Sequence, residues 1–495
     1  MKKQMDQRNL SMVMDLYELT MANGYFDHGK NNHFPNSKTT INLDEKVAFD
    51  VFYRNNPDNG GFAIFAGLEQ VIDYVTNLHF DEEDIEYLRS LNLFCESFLS
   101  YLLKLRFTGN IYSFQEGTIM YPNEPILTVV APIIEAQLVE TAILLEINHQ
   151  SLIATKTRRI VKAAGGRPVS DFGARRAHNF DSAVYGARAA YIGGACGTAT
   201  VLAGQMFDIP ISGTMAHSWV MFYDNEYEAF KAYAETYPDG TVLLVDTYNV
   251  LESGIPNAIR TAKEVLEPMG KRLKGIRLDS GDLAALSKKA RQMLDTAGLK
   301  DCKIVVSNSL DEFTISSILE QGGKIDSFGV GERLITAKSD PVFGAVYKLV
   351  AVEKGGKFIP KIKVSENIEK ITNPGMKEVY RIYNESGKAI ADLISMSEKE
   401  KQLVGTNAQL QYVDPEKYWE KHQFENFHIK RLKRIYVLNG QRVEDKPDRT
   451  LKDIADYVKE QLICEIPQEE QRFYNPQKHS VVMTPEFYDS ELLGN

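Results

Sequence analysis

The middle of the chain, from about residue 140 to residue 352, alternates short apolar runs with longer segments of helical pattern. Successive starts of the first six runs are roughly 20 to 40 residues apart, which is the size of one βα unit. This alternation predicts parallel strands joined by helices. The runs occupy residues 168–173, 209–214, 242–247, 275–280, 303–308 and 325–330, and a seventh covers 345–352.

The first six runs close with residues of the types Ser, Thr, Asp, Asn, Arg or Gly. Parallel α/β sheets and barrels form their ligand sites at the carboxyl ends of the strands. Six such ends in succession therefore predict one shared site at the mouth of a barrel. An open parallel sheet is the alternative, because eight regular units cannot be counted in the sequence.

The two flanks lack this alternation. Residues 1–140 mix a helical pattern with short strands, whereas residues 353–495 begin with Lys-rich hairpins and end with a predicted helix over 449–466. We therefore predict three stretches, with a catalytic domain over 141–352 between two flanking segments.

Composition and charge exclude several classes of protein. With 43% hydrophobic and 25% charged residues, the chain has the composition of a soluble globular protein. Its formal net charge of -10 argues against nucleic acid as the main partner, although a few local arginines could still bind a small anion. The four cysteines form no CxxC pair, which favours a reducing compartment. Without an 18-residue apolar stretch or a secretory leader, we expect a cytoplasmic protein that does not enter a membrane.

Two motifs at strand ends predict the recognition of a flat anion. Phe172 lies near the end of the run 168–173, and Arg175 and Arg176 come just after it. These side chains are suited to stack on a ring and to pair with a negative charge. Further along, strand alternation places Arg277 and Asp279 on one face. The alternatives are a core phenylalanine with surface arginines, and a buried mutual salt bridge.

A histidine and two glycine-rich turns predict phosphate chemistry. His217 follows a predicted strand, and Asp246 and Asp279 at later strand ends can orient its ring as a nucleophile for a phosphoryl group. A packed histidine without a catalytic role is the alternative. The turns at 307–312 and 328–336 supply amides and hydroxyls that can cradle a phosphate. Together these features indicate phosphoryl or phosphoribosyl transfer and leave the substrate open.

Taken in order, the motifs resemble the nicotinate phosphoribosyltransferase family. The resemblance covers nearly the whole chain and rests on residues 15–25, 60–69, 171–176, 213–217, 277–282 and 344–349. It implies the type II phosphoribosyltransferase fold, an irregular TIM-like α/β barrel with a second α+β domain formed by the N- and C-terminal segments. It also implies a homodimer with active sites at the subunit interface.

The resemblance further implies a reaction in NAD biosynthesis. Nicotinate and phosphoribosyl pyrophosphate would give nicotinate mononucleotide and pyrophosphate, with ATP hydrolysis coupled through a phosphohistidine and Mg²⁺ carried mainly by the pyrophosphate. The ring of nicotinate would lie between Phe172 and Tyr17, which reaches across the dimer. Its carboxylate region would face Arg175, Thr214 and Arg277. His217 would be phosphorylated with Asp246 and Asp279 orienting it, and the phosphoribosyl group would be held by Ser307, Asn308, Gly329, Gly331 and Thr336.

Three details refine this implication. Nicotinamide-using relatives carry an Asp where this chain has Ala199, and the loss of that charge favours a carboxylate substrate. Glu332 beside the phosphate turn and the turn that begins at Ser307 depart from the family pattern. A nicotinamide or quinolinate phosphoribosyltransferase is the nearest alternative, and a non-catalytic binding protein on this fold is another.

Overall fold

Six parallel strands form the sheet of the central part of the chain in the computed structural model, which describes residues 8–30, 41–363, 373–396, 409–415, 419, 422–443 and 449–493. Two compact units are present: a central unit, Ile153–Pro341, and a flanking unit, Gln4–Leu152 with Val342–Asn495. In spatial order, the strands of the central unit are Gly197–Thr198, Val169–Asp171, Ser327–Val330, Lys303–Asn308, Gly275–Leu278 and Val242–Leu244.

Helices follow these strands, as the alternating pattern predicts. Those of the central unit are Phe180–Ile192, Val201–Phe207, His217–Phe222, Glu226–Thr236, Ile255–Thr261, Leu283–Thr296, Glu312–Glu320 and Glu332–Ile335. Asn179, Asn225, Asp282 and Asp311 each accept a backbone N–H with the side chain at a helix start, which satisfies a donor that the first turn leaves unpaired. The mixed α/β fold with a parallel sheet is confirmed. Closure of this sheet into a barrel stays a prediction, since hydrogen bonds within the described residues order it as an open sheet.

Two of the seven predicted runs differ from the prediction. The run 209–214 contributes a single parallel bridge between Ile211 and Thr198, and Pro210 lacks the N–H that a regular ladder needs. The run 345–352 forms the strand Val346–Lys354, which pairs antiparallel with Lys46–Phe52 in the flanking unit. The central unit therefore ends before this strand, at Pro341, rather than at the predicted residue 352.

Strands from both ends of the chain share the sheets of the flanking unit. Within the described residues, its largest sheet has the order Lys357–Pro360, Val346–Lys354, Lys46–Phe52, Leu127–Pro132, Asn110–Phe114, Lys433–Leu438 and Gln441–Arg442. Because Asn110–Phe114 pairs directly with Lys433–Leu438, the N- and C-terminal segments build one α+β unit, as predicted.

The remaining elements of the flanking unit pack around this sheet. A second sheet contains His428–Arg431, Glu378–Tyr383, Ala389–Ser395 and Ser480–Met483, and two strand pairs are Gln409–Tyr412 with His422–Glu425 and Ala63–Ile64 with Ile119–Met120. The helices are Leu16–Lys30, Leu68–Thr76, Glu82–Ser90, Glu96–Leu102, Ile133–Leu138, Glu140–Ala163 (which continues into the central unit), Leu451–Glu460 and Pro485–Leu493. None of the helices in the described part of the chain combines the length and apolar character that a membrane crossing requires.

A buried ion pair of the C-terminal segment also bonds to the N-terminal segment of the flanking unit. Arg381 donates to Asp392 through Nε at 2.9 Å and Nη2 at 2.7 Å, and neither side chain is more than 1% exposed. Arg381 Nη2 also donates to the carbonyl oxygen of Ile119 at 2.8 Å. Burial opposes ionisation of Asp392, but the Arg381 guanidinium lowers the pKa of that carboxyl. The pair is thus a stabilising contact only while both partners are present.

Candidate functional site

The predicted site residues of the central unit lie at the carboxyl ends of its parallel strands. Arg277 lies in Gly275–Leu278, and Ser307 lies in the neighbouring strand Lys303–Asn308. Parallel pairing sets Arg277 opposite Val305, two residues before Ser307. Because side chains alternate along a strand, this register places Arg277, Asp279 and Ser307 on the same face.

Arg277 is the centre of a hydrogen-bond network. Its Nε donates to Ser307 Oγ at 2.7 Å, its Nη1 to Thr214 Oγ1 at 3.2 Å, and its Nη2 to Asp279 Oδ1 at 2.8 Å. Its side chain is 13% exposed. A guanidinium has five N–H donors, so this network leaves one N–H on each Nη atom. The two remaining donors suit a carboxylate that is bound in a bidentate manner.

Phe172 presents an aromatic ring to this guanidinium. The Cζ atom of Arg277 lies 5.4 Å from the ring centroid, within the range of a cation–π contact. Gly329 makes room for the ring, because a Cβ atom there would lie closer than 3.0 Å to two ring carbons. The prediction assigned Gly329 to the phosphoribosyl group, and the structure gives a packing reason for the same glycine. Ring and guanidinium together form a surface for a planar anion.

A buried carboxylate that the sequence reasoning missed shapes the turn around Phe172. Asp171 accepts a hydrogen bond from Gly173 N and another from Thr198 Oγ1, each at 2.8 Å. Burial raises the pKa of the Asp171 carboxyl, although these two hydrogen bonds favour its ionised form. The Asp171 carbonyl oxygen also accepts from Ala199 N at 2.8 Å. Asp171 thus holds the backbone that carries Phe172 next to Ala199.

His217 begins the helix His217–Phe222 and lies between two carboxylates and a hydroxyl. Its Nε2 is 4.0 Å from Asp246 Oδ1 and 3.9 Å from Asp279 Oδ2. These distances exceed a hydrogen bond, so the two carboxylates act on the ring through their charge in this structure. The hydrogen bond to the ring comes instead from Thr247, whose Oγ1 is 3.1 Å from Nδ1. Thr247 directly follows Asp246 in the predicted strand end, but the sequence reasoning gave it no role.

Asp246 is held in place from the other side. Its Oδ2 accepts from Asp279 N at 2.9 Å and from Ser280 Oγ at 2.7 Å. Its side chain is 1% exposed, and its Oδ1 is a buried atom without a hydrogen-bond partner in the described residues. An unpartnered buried carboxylate oxygen is costly unless a positive or donating group meets it. The His217 ring is the group that faces it, with Nε2 at 4.0 Å.

The turns predicted to hold a phosphate have defined local partners. Asn308 adopts a φ of +128°, which is uncommon outside glycine, and its Oδ1 accepts from Ser309 N at 2.7 Å. Thr336 donates from Oγ1 to the Glu332 carbonyl oxygen at 2.7 Å. Lys338 donates to Glu332 at 2.6 Å, and this hydrogen bond lowers the pKa of the Glu332 carboxyl. The charge of Glu332 is therefore paired with a lysine.

Three predicted residues stand apart from this network. Gly331 precedes the four-residue helix Glu332–Ile335, and a Cβ atom there would lie 3.2 Å from the Phe172 carbonyl oxygen. Arg175 is exposed in the turn Ala174–Arg176 and makes no hydrogen bond or ion pair with the described residues. Tyr17 is 43% exposed in the flanking unit, where burial and the Glu140 carboxylate raise the pKa of its hydroxyl. Its approach to the ring of a substrate stays a prediction.

Family models, curated relatives and solved structures all indicate the same family. Family models for the N-terminal domain, the family core and the C-terminal domain of nicotinate phosphoribosyltransferase match residues 12–148, 168–404 and 376–491. The nicotinate phosphoribosyltransferase of Bacillus subtilis is 44% identical over 98% of this chain and 95% of its own length. That of Dictyostelium discoideum is 34% identical over 97% and 87%.

Solved structures agree with the sequence relatives. The crystal structure of human nicotinic acid phosphoribosyltransferase superposes with a TM-score of 0.83 at 26% identity, over 98% of this chain and 100% of the human chain. Nicotinate-nucleotide pyrophosphorylase from Pyrococcus furiosus follows with a TM-score of 0.67 at 26% identity, over 93% and 97%. From its motifs, its fold and these relatives, the chain belongs to the nicotinate phosphoribosyltransferase family.

Proposed function

We propose that this protein joins nicotinate to phosphoribosyl pyrophosphate, forming nicotinate mononucleotide and pyrophosphate in NAD biosynthesis from nicotinate. The observation that carries the proposal is the pair of Phe172 and Arg277, whose Cζ lies 5.4 Å from the ring centroid. Nicotinate has the two features that this pair can bind, a flat aromatic ring and a carboxylate. The name of the 44% identical Bacillus subtilis relative supports the same substrate.

The transfer step follows from this arrangement. The ring nitrogen of nicotinate attacks C1 of the ribose, and the bond from C1 to the pyrophosphate oxygen breaks. Phe172 orients the ring while Arg277 fixes the carboxylate, so that the reacting nitrogen is held towards C1. Negative charge develops on the departing pyrophosphate, and donors at the strand ends, including main-chain amides near Asn308 and Gly331, stabilise the phosphates of the substrate.

ATP is the proposed second phosphate donor, and His217 is the proposed acceptor. The carboxylates of Asp246 and Asp279, 4.0 and 3.9 Å from Nε2, orient the ring, and Nδ1 becomes the nucleophile when ATP displaces its contact with Thr247 Oγ1 at 3.1 Å. Attack of the imidazole on the γ-phosphorus forms a nitrogen–phosphorus bond and releases ADP. Water later breaks this bond and releases phosphate. The free energy of this hydrolysis drives nucleotide formation.

Mg²⁺ is the metal expected with these substrates. Among the described residues, His, Cys, Asp and Glu side chains form no group of three or more that could hold a metal ion. Asp246 Oδ1, which lacks a hydrogen-bond partner, and Asp279, whose side chain is 29% exposed, are the carboxylates that fit the edge of such a site. This donor set fits an ion held mainly by pyrophosphate and water oxygens. Bound Mg²⁺ supplies charge neutralisation on the leaving pyrophosphate.

Ala199 supports the acid rather than the amide as substrate. It lies next to Phe172 through the hydrogen bond from its N–H to the Asp171 carbonyl oxygen. An Asp at this position can accept from a carboxamide but repels a carboxylate. Initial rates of mononucleotide formation with nicotinate, nicotinamide and quinolinate test the proposal. Nicotinate should have the highest kcat/KM, and Ala199→Asp should lower it, whereas faster turnover of either other substrate contradicts the assignment.

A non-catalytic binding protein is the candidate from another class. Such a protein has no need of the paired carboxylates around His217 or of the network around Arg277. One observation distinguishes the enzyme from the binding protein. A binding protein would retain nicotinate or phosphoribosyl pyrophosphate without releasing pyrophosphate. Release of pyrophosphate that depends on both substrates supports the enzyme.

A homodimer is the proposed assembly. Large apolar side chains are exposed on the central unit, including Phe180 at 89% and Phe222 at 85%, and such surface commonly marks an interface. Sedimentation should give twice the monomer mass.

If Tyr17 acts across the dimer, mixing inactive Tyr17→Ala and Arg277→Ala subunits should restore about a quarter of the wild-type activity. Random mixing makes half of the dimers heterodimers, and each heterodimer has one intact site of two. No recovery would place Tyr17 in its own subunit's site or in none.

A further inference from the structure

Ser307 has a role that differs from the one its position in a phosphate turn predicts. It is the penultimate residue of the strand Lys303–Asn308 and is only 3% exposed. Its Oγ accepts from Arg277 Nε at 2.7 Å and donates to Asp279 Oδ1. A serine hydroxyl has one proton to donate, and this one is already given to a carboxylate. Ser307 therefore has no proton left to offer a phosphate.

The same hydroxyl joins two parts of the site that do different chemistry. Arg277 carries the two N–H groups proposed for the substrate carboxylate, and Asp279 Oδ2 lies 3.9 Å from His217 Nε2. Arg277 Nη2 also donates to Asp279 Oδ1, the oxygen that Ser307 contacts. Ser307, Arg277 and Asp279 thus close a ring of three hydrogen bonds. Moving any one member shifts the other two.

The strand register supports this arrangement independently of side-chain rotamers. Val305 pairs with Arg277 across two adjacent parallel strands, and Val306 pairs with Leu278. Ser307 is then next to Asp279 in register and, by the two-residue alternation of strands, on the same face. Each member of the ring is held by a different backbone position of the sheet. The geometry is therefore built into the fold.

We propose that Ser307 is a positioning residue, which fixes Arg277 for the nicotinate carboxylate and Asp279 for His217, and is not a ligand of the phosphoribosyl group. Through this hydroxyl, occupation of the carboxylate site by substrate is mechanically linked to the orientation of the imidazole. The inference rests on the proposed function, since it assigns a role within that reaction. The phosphate turn is left to main-chain amides and to Ser309, which is exposed.

The test is the set of Michaelis constants of Ser307→Ala. Arg277 Nε loses its acceptor and Asp279 loses a donor, so the KM for nicotinate should rise about 10-fold, the typical effect of losing a hydrogen bond to a charged group. The KM for phosphoribosyl pyrophosphate should stay within twofold of wild type. The fraction of His217 that is phosphorylated at a fixed ATP concentration, read by mass spectrometry, should also fall.

Two further variants keep this test decisive. Ser307→Cys has nearly the size of serine but weaker hydrogen bonds, so it should raise the KM for nicotinate even if Ser307→Ala folds poorly. Ser386→Ala removes an exposed serine hydroxyl in a hairpin of the flanking unit and should leave the KM for nicotinate unchanged. A Ser307 variant that raises only the KM for phosphoribosyl pyrophosphate, or changes neither constant, overturns the proposal. If the wild-type protein forms no nicotinate mononucleotide, the proposed function itself fails.

Discussion

Replacing Arg277 by lysine tests the carboxylate site most quantitatively. The substitution keeps the positive charge but removes the planar fork that donates to Ser307, Thr214 and Asp279. A single ammonium cannot repeat the bidentate contact of the two remaining N–H groups with a carboxylate. Each hydrogen bond to a charged group contributes about 1.5–3 kcal/mol, and the lysine recovers about one of the two.

The expected net loss is about 1.5–3 kcal/mol of transition-state binding, which lowers kcat/KM for nicotinate about 10- to 150-fold. Initial rates at saturating phosphoribosyl pyrophosphate measure this change, and a thermal melt verifies that the variant is folded. Arg272→Lys is the matched control. Arg272 precedes the amino end of the same strand, is 43% exposed and pairs with Asp301, so its loss should change kcat/KM less than twofold.

A value of kcat/KM for Arg277→Lys within threefold of wild type would refute this reasoning. It would mean that the guanidinium serves the network with Asp279 and does not contact the substrate. A fall in kcat without any change in KM would point to the His217 side of the site instead. The two constants therefore have to be measured separately.

Three further substitutions test other parts of the molecule. His217→Gln should abolish ATP hydrolysis and the acid-labile phosphate found by mass spectrometry, while some transfer without ATP remains. Gly329→Ala should raise the KM for nicotinate more than 10-fold, because the added Cβ would lie closer than 3.0 Å to ring carbons of Phe172. Arg381→Leu removes the guanidinium from buried Asp392 and leaves it with His479, whose Nε2 lies 3.6 Å from Oδ1, so urea denaturation should show a loss of about 3–5 kcal/mol in the free energy of unfolding.

Each of these substitutions has a control on the same chain. His178 is exposed, and His178→Gln should leave the phosphorylation by ATP intact. Gly240 has open space around its Cβ position, so Gly240→Ala should leave nicotinate binding unchanged. Arg89 forms an exposed ion pair with Glu96, and Arg89→Leu should leave the free energy of unfolding nearly unchanged. Phosphate on a residue other than His217, or equal effects for a variant and its control, contradicts the corresponding prediction.

The order of elements was predictable because strands and helices leave different periodicities. Five of the six central runs each contain one parallel strand of the central unit, and the remaining strand of that sheet, Gly197–Thr198, lies outside the predicted runs. The run 209–214 failed for a local reason, since Pro210 cannot donate to a ladder. The run 345–352 is a strand, but nothing in its own residues identifies the antiparallel partner Lys46–Phe52, which lies some 300 positions away.

The sequence predicts which strand ends carry the polar residues of the site. It does not predict which side-chain atoms contact each other, because those contacts depend on the register between strands that are distant in sequence. Thr247 rather than a carboxylate bonds the His217 ring, and Lys338 pairs with Glu332, which looked out of place beside a phosphate turn. Ser307 lies in a phosphate-like turn, yet its hydroxyl donates its hydrogen bond to Asp279. Sequence motifs locate such residues, and only the fold assigns their partners.

The most direct measurement is nicotinate mononucleotide formation by the purified protein from nicotinate and phosphoribosyl pyrophosphate, with and without ATP and Mg²⁺. We expect the mononucleotide and pyrophosphate to appear in equal amounts, ATP to stimulate their formation, and the stimulation to disappear in His217→Gln. Absence of the mononucleotide, or more efficient use of nicotinamide or quinolinate in its place, would contradict the central claim.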